Sequence, residues 1–341
     1  MARIDTLDNF LTDVADAIRA KTESAGLIPA SDFDTEIESI PGAEKYFVNA
    51  STSQLNKPYM WIKELPNLDL STLTSMLDMF YDCTALEKVG TLNIPNVTDI
   101  RECFYKCSAL TEVSFSNMNI NNIRVTDLFK SCSSLTKISG LNLSGASSLL
   151  ELFANCESLT SSELFNETNT FNTANATNTA GMFSGCKNLS SVPLFDTSHV
   201  TDINAMFNFC FNLESLPNFD FSGVTTSISQ TFGRCSKLTE VPLFDFSHVQ
   251  NFSQAFIYCS RLTTVPQFSF ASATDLTNMF QSCGALSNDS LNNIMASCIG
   301  AVNYTGTKTL KQLGLSQTQA TTCATLSNYQ NFINAGWTTG Y

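Results

Sequence analysis

Charge is scarce in this sequence, and histidine scarcer still. Asp, Glu, Lys and Arg make up 14% of the 341 residues, with 31 acids against 18 bases and two histidines, His199 and His248. An average globular domain is about one-quarter charged, so the polar surface here must be built from Ser, Thr and Asn. A formal charge of −13 repels phosphate backbones, and no run of Lys and Arg offsets it, which argues against nucleic acid as a partner. No apolar run approaches the ~20 residues of a membrane span, so no membrane insertion is expected. The opening Met1-Ala2-Arg3-Ile4-Asp5 lacks the basic, apolar and small-residue regions of a secretory leader. The expectation is a chain made in the cytoplasm without a signal peptide. Cys-x-x-Cys pairs, phosphate-cradling glycine loops and Ser/His/Asp motifs are also missing. Accordingly no catalytic residue, cofactor or metal ion is expected, and the chain is read as not an enzyme.

What the sequence does have is a repeat. Phe-x-x-Cys-x-x-Leu occurs nine times, from Phe80/Cys83/Leu86 to Phe280/Cys283/Leu286, and successive cysteines lie 24, 25, 24, 30, 24, 25, 24 and 24 residues apart. Self-similarity at a fixed short period marks a repeat architecture in which no unit buries its apolar face alone. Each unit reads as strand, turn and short helix. Leu238 to Phe246 mixes β-branched and aromatic residues, as strands do. Phe252, Ala255, Phe256 and Cys259 then follow helical spacing. Polar residues ahead of that face, such as Thr201-Asp202, suit helix N-caps. The long interval between Cys156 and Cys186 carries six extra residues in a Thr/Asn-rich stretch between Leu159 and Met182, expected to bulge out as a loop.

The unit Phe195-Asp196-Thr197-Ser198-His199-Val200-Thr201-Asp202-Ile203, followed by Met206, Phe207, Cys210 and Leu213, resembles the BspA-type leucine-rich repeats of bacteria and their phages. The resemblance covers residues 68–290. It implies a leucine-rich-repeat-like right-handed solenoid of the α/β kind, about nine units of 24 residues, with a binding or adhesive role.

Both ends depart from the repeat. Residues 1–42 read as a helical attachment or oligomerisation segment, with Leu7, Leu11, Val14 and Ile18 on one helix and Phe33 and Ile37 on a second. The run from Ala15 to Ile40 is similar to the opening of phage and prophage structural proteins. Residues 43–67 read as linker and N-terminal cap strands, and 291–341 as a degenerate repeat and helical cap, with helix expected over Thr309–Leu315 and Thr318–Ile333.

Three groups of residues invite a chemical reading and have a plainer one. Twelve cysteines could form disulfides or bind metal, but an inward column of small apolar thiols suits the repeat better. Asp196, Asp220 and Asp245 could form a calcium ladder, but Asp is also the residue of turn hydrogen bonds. The histidines fall where other units carry Asn96 or Gly223, which are turn residues. Leu194 and Leu243 alternate with Asn218 and Gln267 at one position. A position that accepts both kinds is expected outside the core, so these four mark a candidate partner-binding face. The combined expectation is a phage virion structural protein, a tail-tip, tail-fibre or head-fibre component. It would dock to other virion proteins through its N-terminus, form a homo-oligomer, and present the solenoid to a host cell-surface protein or glycan. A bacterial cell-surface adhesin is the alternative.

Overall fold

The computed structural model describes residues 63–65, 67–119 and 121–341. The attachment residues Leu7, Leu11, Val14, Ile18, Phe33 and Ile37 lie outside the described residues. The first strands, β1 (Glu64–Leu65) and β2 (Leu68–Asp69), both pair in parallel with β3 (Lys88–Asn93). From there the sheet runs in sequence order through β4 (Glu112–Ser116) to β5 (Lys137–Ser139), every pair parallel. Each strand partners the one about 24 residues on, as in Leu92 with Phe115 and Val113 with Ile138. The chain is thus a repeat protein of stacked coils.

The strand ladder stops at the coil that carries the 30-residue interval, and proline keeps it from resuming beyond. Pro193, Pro217, Pro242 and Pro266 occupy the same place in four successive units, directly after the buried Val192, Leu216, Val241 and Val265. Proline has no N–H to give to a neighbour. In these coils a single bridge, Glu240 with Thr264, survives at this edge.

The opposite half of each unit is not the short helix that its spacing suggests. Over Phe252–Cys259 the chain makes two successive four-residue turns, Ala255 N–H to Phe252 O (3.1 Å) and Cys259 N–H to Phe256 O (3.2 Å). The third residue of each turn, Gln254 (φ 58°) and Tyr258 (φ 60°), is left-handed, as a type II turn demands. A turn repeated every four residues places side chains inward at i, i+3, i+4 and i+7, the same positions as a helix face. Amides between the turn bonds point along the stack instead. Phe252, Gln254, Phe256 and Tyr258 donate to Asp275, Thr277, Met279 and Gln281 of the next coil at 2.7–2.9 Å. Left-handed residues recur at the same two places in neighbouring units, for instance Glu102 and Lys106, or Gly181 and Gly185.

The polar residue before each turn pair is not a helix cap either. Asp202, Asn251 and Asp275 accept, through Oδ1, the amide two residues on at 2.8–3.0 Å, which closes an Asx-turn. Asn178 does the same (2.9 Å).

Inside the stack, the repeat phenylalanines form one column. Ring centroids from Phe80 through Phe280 are 5.2–6.0 Å apart, each pair stacked. The cysteines form a second column. Each thiol from Cys107 to Cys283 donates to the carbonyl of the preceding coil's phenylalanine, Cys132 Sγ to Phe104 O at 2.9 Å being one case. All twelve cysteines are buried with free thiols. Burial pushes the Cys156, Cys210 and Cys259 thiols well up, and Cys186 and Cys283 to about 12.

The 30-residue interval folds back rather than bulging. Its α1 (Ser161–Leu164) buries Leu164, and Phe165 and Phe171 pack on the column at Phe183 and Phe153 (6.1 and 6.3 Å). Asn169 clamps it, accepting from Leu141 N–H (2.9 Å) and donating to Ile138 and Leu164 carbonyls (3.0 Å each). Beyond the last repeat, α2 (Asn288–Ile299) covers the open edge. Ser290 Oγ accepts from Val265 N–H and donates to Thr263 O (2.8 Å each), replacing the missing next strand. Thr309–Leu315 is not a helix but a further coil, bonded to Phe280 N–H through Leu313 O (2.8 Å). Then α3 (Gln317–Cys323) and α4 (Tyr329–Asn334) follow, and Trp337 is buried between Tyr304 and Phe332.

Gln254 separates a turn from a helix experimentally. In a helix interior, Val and Asn cost nearly the same. At a left-handed position Asn is tolerated and a β-branched residue is not. Gln254→Asn should leave the melting temperature nearly unchanged, while Gln254→Val should destabilise by about 2 kcal/mol in denaturant unfolding.

Candidate functional site

The four residues of the expected binding face lie together on the outside. Leu194 and Leu243 are 66% and 65% exposed, and Asn218 and Gln267 are exposed. Each follows one of the stacked prolines, so the face is a row of proline corners and not a strand face. Local geometry explains the protrusion of two of them. Phe219 N–H bonds Pro217 O and Phe244 N–H bonds Pro242 O, both at 2.9 Å, which sets Asn218 and Leu243 at the apex of three-residue turns. At the coil spacing of about 4.8 Å the two leucines stand roughly 10 Å apart.

The insertion meets this row at its upper end. A shallow groove of about 560 Å³ lies between α1 and the Pro193 corner, lined by Thr160, Ser161, Ser162, Phe165, Asn188, Ser190, Ser191 and Pro193. Ser161 bridges its walls, donating to Ser191 O at 2.7 Å and accepting from Ser190 and Ser191 amides at 3.1 and 3.0 Å. The insertion and the upper end of the Leu194 row are therefore continuous.

Beside the row run Asp196, Asp220 and Asp245. Each carboxylate turns back on its own chain. Asp196 and Asp220 accept the amide and hydroxyl of Ser198 and Ser222 (2.6–3.0 Å), and Asp245 accepts the Ser247 amide (2.9 Å). Those serine bonds hold all three carboxyls below the usual range. These are Asx-turns, so the turn reading describes this column. Among the described residues, no group of three or more His, Cys, Asp or Glu is placed to hold a metal ion, and no helix is long and apolar enough to cross a membrane. His199 and His248 are exposed turn residues, His199 Nδ1 lying 3.1 Å from Ser198 Oγ.

Two charged clusters escape the sequence reading. Asp99, almost fully buried, takes Arg101 Nε and a terminal nitrogen of its guanidinium at 2.9 Å each, and Arg124 at 2.9 Å. Burial pushes its carboxyl up, but the Arg101 hydrogen bonds and the two guanidinium charges outweigh that and hold it below the ordinary value. Lys130 bridges Asp127 (3.1 Å) and Glu151. Burial, reinforced by Glu151 and opposed by Lys130, raises Asp127 to about 6. Neither cluster opens onto the groove's lining. The repeat position did signal the first of them, since Asp99 and Arg124 share the slot held by Asn178 and Asn251.

A family described as "Mycoplasma protein of unknown function, DUF285" matches residues 49–165, 74–194, 147–264 and 177–294 of the chain. No curated protein matches it. Among solved structures, the crystal structure of a leucine rich cell surface protein from Faecalibacterium prausnitzii A2-165 is similar at 16% identity and a TM-score of 0.27, covering 67% of this chain and 82% of that one.

The Asp99 cluster makes acid stability testable. A carboxyl depressed in the folded state stabilises above its unfolded value of ~3.9 and loses that contribution as pH falls through the folded value. Asp99→Ala should cost about 2 kcal/mol at pH 7, the scale of lost hydrogen bonds to a charged group, and the cost should shrink towards pH 2. A cost independent of pH would show the ion pairs to be idle.

Proposed function

The chain belongs to the DUF285 family, and on that premise we propose that it is a non-catalytic, BspA-like leucine-rich-repeat protein that displays a binding surface on the outside of a cell or a virion. The overall form we propose is a right-handed superhelix of about nine 24-residue units. One observation carries the reading: the interior and turn chemistry is spent on holding coil to coil, while apolar side chains are left outside it. Thiols donate to carbonyls of the preceding coil, and the acidic column closes its own turns. Leu194, which follows the groove-lining Pro193, and Leu243, two coils on, are large aliphatic side chains about two-thirds exposed. Exposed apolar residues rimmed by amides and hydroxyls suit a partner-binding patch.

The cell-surface adhesin is the simpler carrier for such a surface. A virion fibre or tail-tip subunit is the second reading, favoured by the Ala15 to Ile40 run, and it would assign assembly to the N-terminal segment. The test is adsorption of the carrier to its target surface, with the native chain and with Leu194→Ser/Leu243→Ser. Antibody labelling of intact cells and released particles identifies which is the carrier. Adsorption should fall at least tenfold in the double variant with oligomeric state unchanged. Lost oligomers would move the row to self-association, and label confined to the cell interior would overturn the reading.

A further inference from the structure

The edge of the stack that carries the left-handed residue before each repeat cysteine holds large side chains at that very position in three consecutive coils. This place is filled elsewhere by Asp82, Lys106, Ser131, Asn155, Gly185 and Ser282, mostly small side chains or ones that tolerate a left-handed backbone. Three consecutive coils instead put Phe209, Arg234 and Tyr258 there, at φ 61°, 63° and 60°. A bulky residue in this conformation is strained by about 1–2 kcal/mol. Phe209 and Tyr258 nevertheless stay 38% and 44% exposed. Strain kept at an exposed site points to a use beyond the fold.

The three side chains form one ladder. The Arg234 guanidinium lies 4.5 Å from the Phe209 ring centroid and 5.2 Å from that of Tyr258. Cation–π attraction to two rings holds the guanidinium carbon over both, and its planar fork of N–H donors suits a carboxylate ligand. Among the described residues, neither Arg234 nor Arg261 has a carboxylate partner, while Lys237 reaches Glu214 at 3.7 Å. The flanking coils place Gly185 and Ser282 next to the rings, so no long side chain of that column covers their outer sides. Phe211 adds an edge contact to Phe209 at 5.9 Å. Charge singles out the same place. Residues 203–213, 228–238, 252–262 and 276–286 contain three bases, Arg234, Lys237 and Arg261, and no acid, in a chain of net charge −13.

We propose that the Phe209–Arg234–Tyr258 ladder binds an acidic oligosaccharide in which uronic acid alternates with neutral sugar. Sugar rings present C–H faces that pack on aromatic rings, and a carboxylate pairs with the exposed guanidinium edge. One unpaired guanidinium between two rings matches a carboxylate spaced by uncharged rings. A densely charged phosphate backbone would meet the repulsion of the whole acidic chain. The proposal rests on the reading of the chain as a binding protein, but uses a different edge from the Leu194 row.

The test is titration of the full chain with a fluorescent hyaluronan octasaccharide at low salt, beside a neutral N-acetylglucosamine oligomer and an oligothymidylate of similar length. Hyaluronan should bind, weaken as salt rises, and bind at least tenfold more weakly to Arg234→Asn and Tyr258→Asn, both suited to the left-handed backbone. Arg234→Lys keeps the charge without the planar fork and should lose most of the affinity too, with unchanged thermal unfolding. No hyaluronan binding, equal binding by the variants, or equal binding of either control oligomer overturns the proposal. Failure here with intact Leu194-dependent adsorption would remove the glycan site and leave the binding function standing.

Discussion

Alternate amides of the Phe-x-x-Cys segment donate to the next coil, and the remaining amides close turns within their own coil. A buried amide left without a partner costs about as much as a lost hydrogen bond, so this alternation must hold in every coil. It requires two left-handed residues per unit, at the positions of Gln254 and Tyr258. With the backbone fixed, the interior columns follow. Phenylalanine rings stack because successive coils set them 5.2–6.0 Å apart. Cysteine fits where a small side chain must both fill the core and donate to the phenylalanine carbonyl behind it. The same logic sets the ends: α2 closes the ladder through Ser290 because an open parallel edge would leave its backbone groups unpaired.

The repeat, its buried columns and the outward place of Leu194 and Leu243 were legible in the sequence. Period alone reveals stacking, and a slot shared by Leu, Asn and Gln betrays exposure. Helix content was misread because tandem four-residue turns reproduce the i, i+3, i+4, i+7 pattern. A discriminating signal was present. The slots of Gln254 and Tyr258 hold Asp, Glu, Gln, Asn, Ser, Gly, Ala and a few larger residues in the repeats, but never Val, Ile or Thr, the residues a left-handed backbone excludes. The insertion was misread for a related reason. Its Thr/Asn composition suggests a loop, yet Phe165 and Phe171 supply the anchors and Asn169 binds the backbone groups that a missing strand would have paired.

Function was legible only at the level of class. A solenoid spends its repeated residues on itself, so recognition depends on the exceptions to each column. The slot of Leu194 and Leu243 was visible as an exception because leucine is conspicuous among amides. Phe209, Arg234 and Tyr258 went unnoticed, since aromatic residues are common in this chain and their cost is apparent only once φ is known. Columns therefore serve two purposes here: conforming members build the stack, and departures mark candidate surfaces.

Inward thiols are locked in the coil-to-coil ladder, and thiol reactivity measures that state directly. Reagents attack the thiolate, which burial disfavours. With an aromatic disulfide reagent near neutral pH, the folded chain should react slowly and the denatured chain should release twelve equivalents, one for each cysteine. Rapid reaction of several repeat cysteines in the folded chain, or fewer than twelve equivalents after denaturation without reductant, would contradict it.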